Sequence, residues 1–128
     1  MELEGLDVVK FLNGPETVRD GSLVGFSVEG LATDPVIQLT FEVRRQSAVH
    51  VVKIELRDVQ EFDYGYSKDN SPLVVEFLKC LMTDEGEFYL SLDPYNEHED
   101  FVSADDNEFF RSGRVKLTRR DSAQPLSI

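Results

Sequence analysis

Between Val36 and Arg45 apolar and polar residues alternate, with Ile37, Leu39, Phe41 and Val43 set against Gln38, Thr40, Glu42 and Arg44. A period of two marks a strand with one buried face and one wet face. Residues 49–56 repeat the pattern, Val52, Ile54 and Leu56 opposing Lys53, Glu55 and Arg57. The intervening Gln46-Ser47-Ala48 is short enough to close an antiparallel hairpin. Past Asp58 the phase slips: Val59 is apolar on the formerly polar face, and Phe62, Tyr64 and Tyr66 then resume the even face. That slip predicts a bulge or bend near Asp58. Upstream, Val24, Phe26 and Val28 predict a strand over Ser22–Glu29. Residues 6–12 fit a short strand or a short helix, and Asn13-Gly14-Pro15 ends the element in either case.

Downstream, residues 73–82 and 87–92 read as a second hairpin joined by Thr83-Asp84-Glu85-Gly86, after a loop at Asp69-Asn70-Ser71-Pro72. Asp93-Pro94 starts a turn. Ser103-Ala104-Asp105-Asp106 reads as a helix start, because Ser103 can cap free N–H groups and the aspartates oppose the positive end of the helix dipole. The expected helix covers residues 103–111 and stops at Ser112-Gly113, before a last strand over 114–118. The fold class expected from these elements is α+β, mainly β. It is a single-domain antiparallel sheet of about six or seven strands with one short C-terminal helix. The domain is expected to span 1–118, with 119–128 as a polar, frayed tail.

Length agrees with one domain, since 128 residues fall within the size of a single core. A lone cysteine, Cys80, excludes an intramolecular disulfide, and its place beside Leu78 and Met82 suits a buried thiol. The acidic start, Met1-Glu2-Leu3-Glu4-Gly5, lacks the basic and apolar regions of a secretory signal, and no apolar run is long enough to span a bilayer. A soluble, cytoplasmic chain is the expectation.

Charge changes this picture more than any motif. The chain has 25 acids and 13 bases, a net of −12. Residues 84–108 hold ten carboxylates and no Lys or Arg, which leaves 15 acids and 13 bases, a net of only −2, in the rest. So local a charge sets up a field that attracts cationic partners and repels nucleic acid and anionic lipid. Phe88, Tyr89, Tyr95, Phe101, Phe109 and Phe110 are interleaved with these acids. Aromatics beside fixed carboxylates supply both anchors and steering for a protein partner.

Other chemistries find few parts. His50 reads as a structural histidine at a strand start and His98 as a loop histidine among Glu97, Glu99 and Asp100. No Gly-x-Ser-x-Gly elbow or phosphate-binding glycine loop is present. The basic cluster Arg111, Arg114, Lys116, Arg119 and Arg120 is better placed to offset neighbouring acids than to track nucleic acid. Asp93, Asn96, Glu97, Glu99 and Asp100 are hard oxygen donors that suit calcium. However, Pro94 and Tyr95 follow the first acid and His98 stands where a calcium loop needs glycine. No metal or cofactor is therefore expected.

The run Phe11-Leu-Asn-Gly-Pro15, the strand from Val24 to Val28 and the paired strands ending in Ile54-Glu-Leu-Arg-Asp-Val59 resemble the small β-rich immunity proteins of bacterial polymorphic toxins. The resemblance is one of spacing over about residues 6–66. It implies a single-domain, cytoplasmic protein that binds and neutralises a cognate toxin, and it assigns no residue a role. The charge count supplies the expected contacts instead: Asp93, Glu97, Glu99, Asp100, Asp105 and Asp106, with Tyr95 and Phe101 as anchors. They would mask a basic protein surface such as a nuclease-type active site, without catalysis. A small enzyme using a His/carboxylate pair and a calcium-binding domain are the alternatives.

Overall fold

The computed structural model describes residues 1–15, 17–70 and 73–122, without the side chains of residues 70 and 122. In chain order the elements are β1 (Glu2–Glu4), α1 (Leu6–Leu12), β2 (Ser22–Glu29), β3 (Val36–Arg45), β4 (Ala48–Asp63), β5 (Leu73–Val74), β6 (Lys79–Met82), β7 (Phe88–Asp93) and β8 (Asn107–Ser122). A 3₁₀ turn at Lys68–Asn70 precedes β5. All pairings are antiparallel, in the order β5-β2-β3-β4-β8-β7-β6, and β1 pairs with β8. The molecule is mainly β, and among the described residues its one α-helix is N-terminal.

The alternation along β3 and β4 is realised as expected. Ile37, Leu39, Phe41, Val52, Ile54 and Leu56 are buried, and Arg45 pairs with Ala48 across a turn in which Gln46 takes φ 57°. The phase slip is also present. Asp58 takes φ 54°, and the β4–β8 register shifts between Val59 and Glu61. Asp58 lies so close to β8 that a Cβ on Gly113 would come within 2.1 Å of its carboxylate. Gly113 is therefore a close-approach glycine inside a strand rather than the end of a helix. In β2 a bulge between Leu23 and Gly25 turns Val24 outward, while Leu23 is buried and Phe26 and Val28 pack against the core.

Two expectations are corrected. The run 73–82 is not one strand: Leu73–Val74 pairs with β2 at one end of the strand order, and Lys79–Met82 pairs with β7 at the other. Seven strands laid flat would hold these edges roughly 29 Å apart, yet the five steps from Val74 to Lys79 reach roughly 17 Å at most. The sheet is therefore curled, and residues 75–78 bridge its edges. Val75 exchanges backbone hydrogen bonds of 2.8 Å with Asp20 and Gly21, and Asn13 Nδ2 donates to the Cys80 carbonyl at 2.9 Å. Helix α1 contributes Val8, Val9 and Leu12 to the enclosed core.

The C-terminal helix over 103–111 is the second correction. The capping bonds do form: Asp105 N donates to Ser103 Oγ at 3.1 Å, and Ser103 N donates to Asp106 Oδ2 at 3.1 Å. The result is one turn only. β8 begins at Asn107, Glu108 takes φ 47°, and the strand pairs with β4 on one side and with β7 and then β1 on the other. That two-sided ladder outweighs a local capping signal. β8 also runs through Ser122, four residues into the segment expected as a tail. Residues 123–128 lie outside the described residues, as do Ser71 and Pro72 of the expected loop.

Candidate partner-binding site on the acidic loop

Strand β7 is buried on both faces: Phe88, Leu90 and Leu92 point to the core, and Tyr89 and Ser91 are covered as well. The cover is the loop between β7 and β8, which carries five of the ten carboxylates of residues 84–108. Beneath it Lys79 is 1% exposed. Its Nζ donates to Asp106 Oδ2 at 2.7 Å, the Phe101 carbonyl at 2.9 Å and Glu99 Oε1 at 3.1 Å. Asp106 is buried and also accepts from the Tyr89 hydroxyl at 2.7 Å and from Tyr95 N at 3.0 Å. Arg19 pairs with Glu97 and donates to the Leu78 carbonyl at 3.3 Å.

This network sets the protonation of the site. Burial pushes the Asp106 carboxyl up, but hydrogen bonds from Lys79, Tyr89 and the backbone of Tyr95 and Ser103 outweigh it and hold the group below its ordinary value. Burial, then the hydrogen bond to Asp106, pushes the Tyr89 hydroxyl well above the ordinary tyrosine range. Burial does the same to the Cys80 thiol, which makes it unreactive.

The expected contact residues thus divide. Asp106 is withdrawn from the surface, its carboxylate committed to Lys79 Nζ and the Tyr89 hydroxyl. Glu97 and Glu99 are largely covered and turned toward Arg19 and Lys79. Asp93, Asp100 and Asp105 remain exposed, together with Tyr95 at 70% and Phe101 at 56%. Phe101, Val102 and Asp100 line a groove of about 230 Å³ whose other wall is the β6–β7 turn with Asp84 and Glu85, and Arg111 also borders it. Lys79 was not singled out from the sequence. Its signal was a lone lysine in the otherwise apolar phase of a strand in a chain with a concentrated acidic segment.

Among the described residues, no group of three His, Cys, Asp or Glu is placed to hold a metal ion. His98 is exposed, tied through its backbone N to Asn96 Oδ1 at 3.0 Å. His50 lies against Asp121 at 2.6 Å, and hydrogen bonds from Arg119 and His50 push that carboxyl down to about 2. The basic cluster does offset acids: Arg111 reaches Glu61 and Glu87, and Lys116 reaches Glu2. No helix among the described residues is long and apolar enough to cross a membrane.

No family model, curated protein or solved structure matches this chain.

Proposed function

We propose that this protein is a non-enzymatic binder that masks a basic surface on another protein, in its sharpest form an immunity protein neutralising a bacterial toxin. The observation that carries the reading is the division of labour on the acidic loop. Glu97, Glu99 and Asp106 fix the loop, while Asp93, Asp100 and Asp105 stay exposed beside Tyr95 and Phe101. A loop held by internal ion pairs presents its remaining charges without a large ordering cost on binding.

The mechanism is occlusion. Long-range attraction steers a cationic surface to the loop, Phe101 and Tyr95 give apolar contact, and Asp100 with Asp84 and Glu85 meets Lys or Arg around the groove. A nuclease-type active site, which is basic because it holds phosphates, has the matching charge. A His/carboxylate enzyme has less behind it, since His98 is exposed and held through its backbone to Asn96, and the His50 ring is taken up by Asp121.

The test is affinity capture from the source cell's lysate with wild-type bait and with Asp93→Asn/Asp100→Asn/Asp105→Asn. The expected result is a basic protein retained by wild type and at least about tenfold depleted on the variant. Equal capture by both baits would remove the loop from the mechanism.

A further inference from the structure

Asp93 also borders a second, larger cavity, a cleft of about 870 Å³. One wall is β2 itself. β2 meets β5 only through Ser22 and Leu23, so among the described residues the outer edge of residues 24–29 pairs with no strand. Tyr64 and Tyr66 from the chain leaving β4, and Val74 and Phe77 around the bridge, form the other sides. Tyr66 is 73% exposed and Phe77 52%. Asp69, Glu76, Asp93 and Glu108 also line the cleft, and no Lys or Arg does.

Proteins ordinarily blunt an open strand edge with lysine, proline or a covering element, because such an edge recruits another strand. Here the first part of the edge, Val24 to Phe26, opens onto aromatic rings and four carboxylates. We infer that the cleft seats an extended basic segment of the partner, added to β2 as a further strand with its Lys or Arg side chains between the tyrosine rings and the acids. The inference rests on the proposed masking of a basic protein and states where that protein's chain enters. Strand addition supplies backbone hydrogen bonds, alternate side chains reach the pocket, and cations over tyrosine faces add to the charge attraction. A second copy of this chain is disfavoured as the occupant, because it would bring another net −12 to an acidic cleft.

Glu108 is built for this role. It takes φ 47°, an uncommon conformation for a non-glycine residue, and both carboxylate oxygens lie 3.3–3.4 Å from Gly65 N. Burial, then the charges of Asp63 and Asp93, raises its carboxyl above the ordinary value despite the Gly65 hydrogen bond. A cation in the cleft would relieve that repulsion.

The test is a ¹H–¹⁵N NMR titration of the full chain with a capped peptide of alternating Arg and Val, about eight residues long. It is run on wild type, on Glu76→Gln/Glu108→Gln in the cleft and on Asp100→Asn/Asp105→Asn on the loop. The expected result is saturable binding that shifts and protects the amides of residues 24–29. Affinity should fall roughly tenfold in the cleft variant and within about twofold in the loop variant. Binding abolished by the loop variant with the β2 amides unmoved would overturn the cleft and leave the masking of basic surfaces standing. No saturable binding would likewise overturn the cleft, since masking is tested separately by capture. Amides of residues 24–29 protected in the free protein in a concentration-dependent way would assign the edge to a second copy and overturn the inference.

Discussion

Lys79 and Asp106 form a buried ion pair whose other contacts are all made by the acidic loop or the strand beneath it. Replacing Lys79 with Met would strand a fully buried carboxylate, a change that costs about 3–5 kcal/mol, measurable by urea denaturation. The Asp106 carboxyl is held below its ordinary value of 3.8, so its stabilising contribution is present above that value and is lost as the pH falls through the lower folded one. Asp106→Asn should therefore flatten the loss of stability as the pH falls below about 4, read from melting temperatures across the acidic range. Glu108 has the opposite sign. Its raised carboxyl contributes stability below its ordinary 4.5 that is lost as the pH rises through the folded value. At neutral pH the Glu108→Gln variant should melt at or above the wild-type temperature, whereas a purely structural Glu108 would give a lower one. The sequence exposed the acids by count, but not their roles. Asp105 and Asp106 are adjacent and chemically alike, and only the position of Lys79 across the fold makes one a surface charge and the other a buried anchor.

At the scale of elements, the strands with a clean period of two were legible. β3 matches its expected bounds, β4 continues past the expected 49–56 to Asp63, and the slip at Asp58 is the expected bulge. Two elements were not legible for one shared reason: their pairing is non-local. The run 73–82 has strand composition throughout, but nothing local shows that its halves belong to opposite edges of a curled sheet. Ser103 to Asp106 has every local mark of a helix start, and the ladder of β8 with β4 and β7 decides otherwise. Closure of the curl makes its own prediction at Gly21. A Cβ there would lie 2.7 Å from Val43 Cγ2 and 2.9 Å from the Glu42 and Val18 carbonyls. Two of those contacts are backbone and cannot yield cheaply. Gly21→Ala should destabilise by about 1–3 kcal/mol, and hydrogen exchange should show faster opening at Asp20 and Val75, whose backbone bond flanks the site.

For the whole molecule, the charge imbalance is sorted by the fold rather than spread over it. Arg111 and Lys116 on β8 meet acids of adjoining segments, while the loop and the cleft keep carboxylates that face solvent near exposed aromatic rings. Binding through such a surface should weaken steeply as salt rises past about 0.15 M, where the screening length falls to about 8 Å. The most direct test of the central claim is amide hydrogen–deuterium exchange of the protein alone and bound to the basic partner recovered by capture. New protection over residues 93–105 and along residues 24–29, with little change on β1 and the C-terminal half of β8, is the predicted result. Protection confined to β1 and β8, with the acidic loop exchanging as in the free protein, would contradict the account.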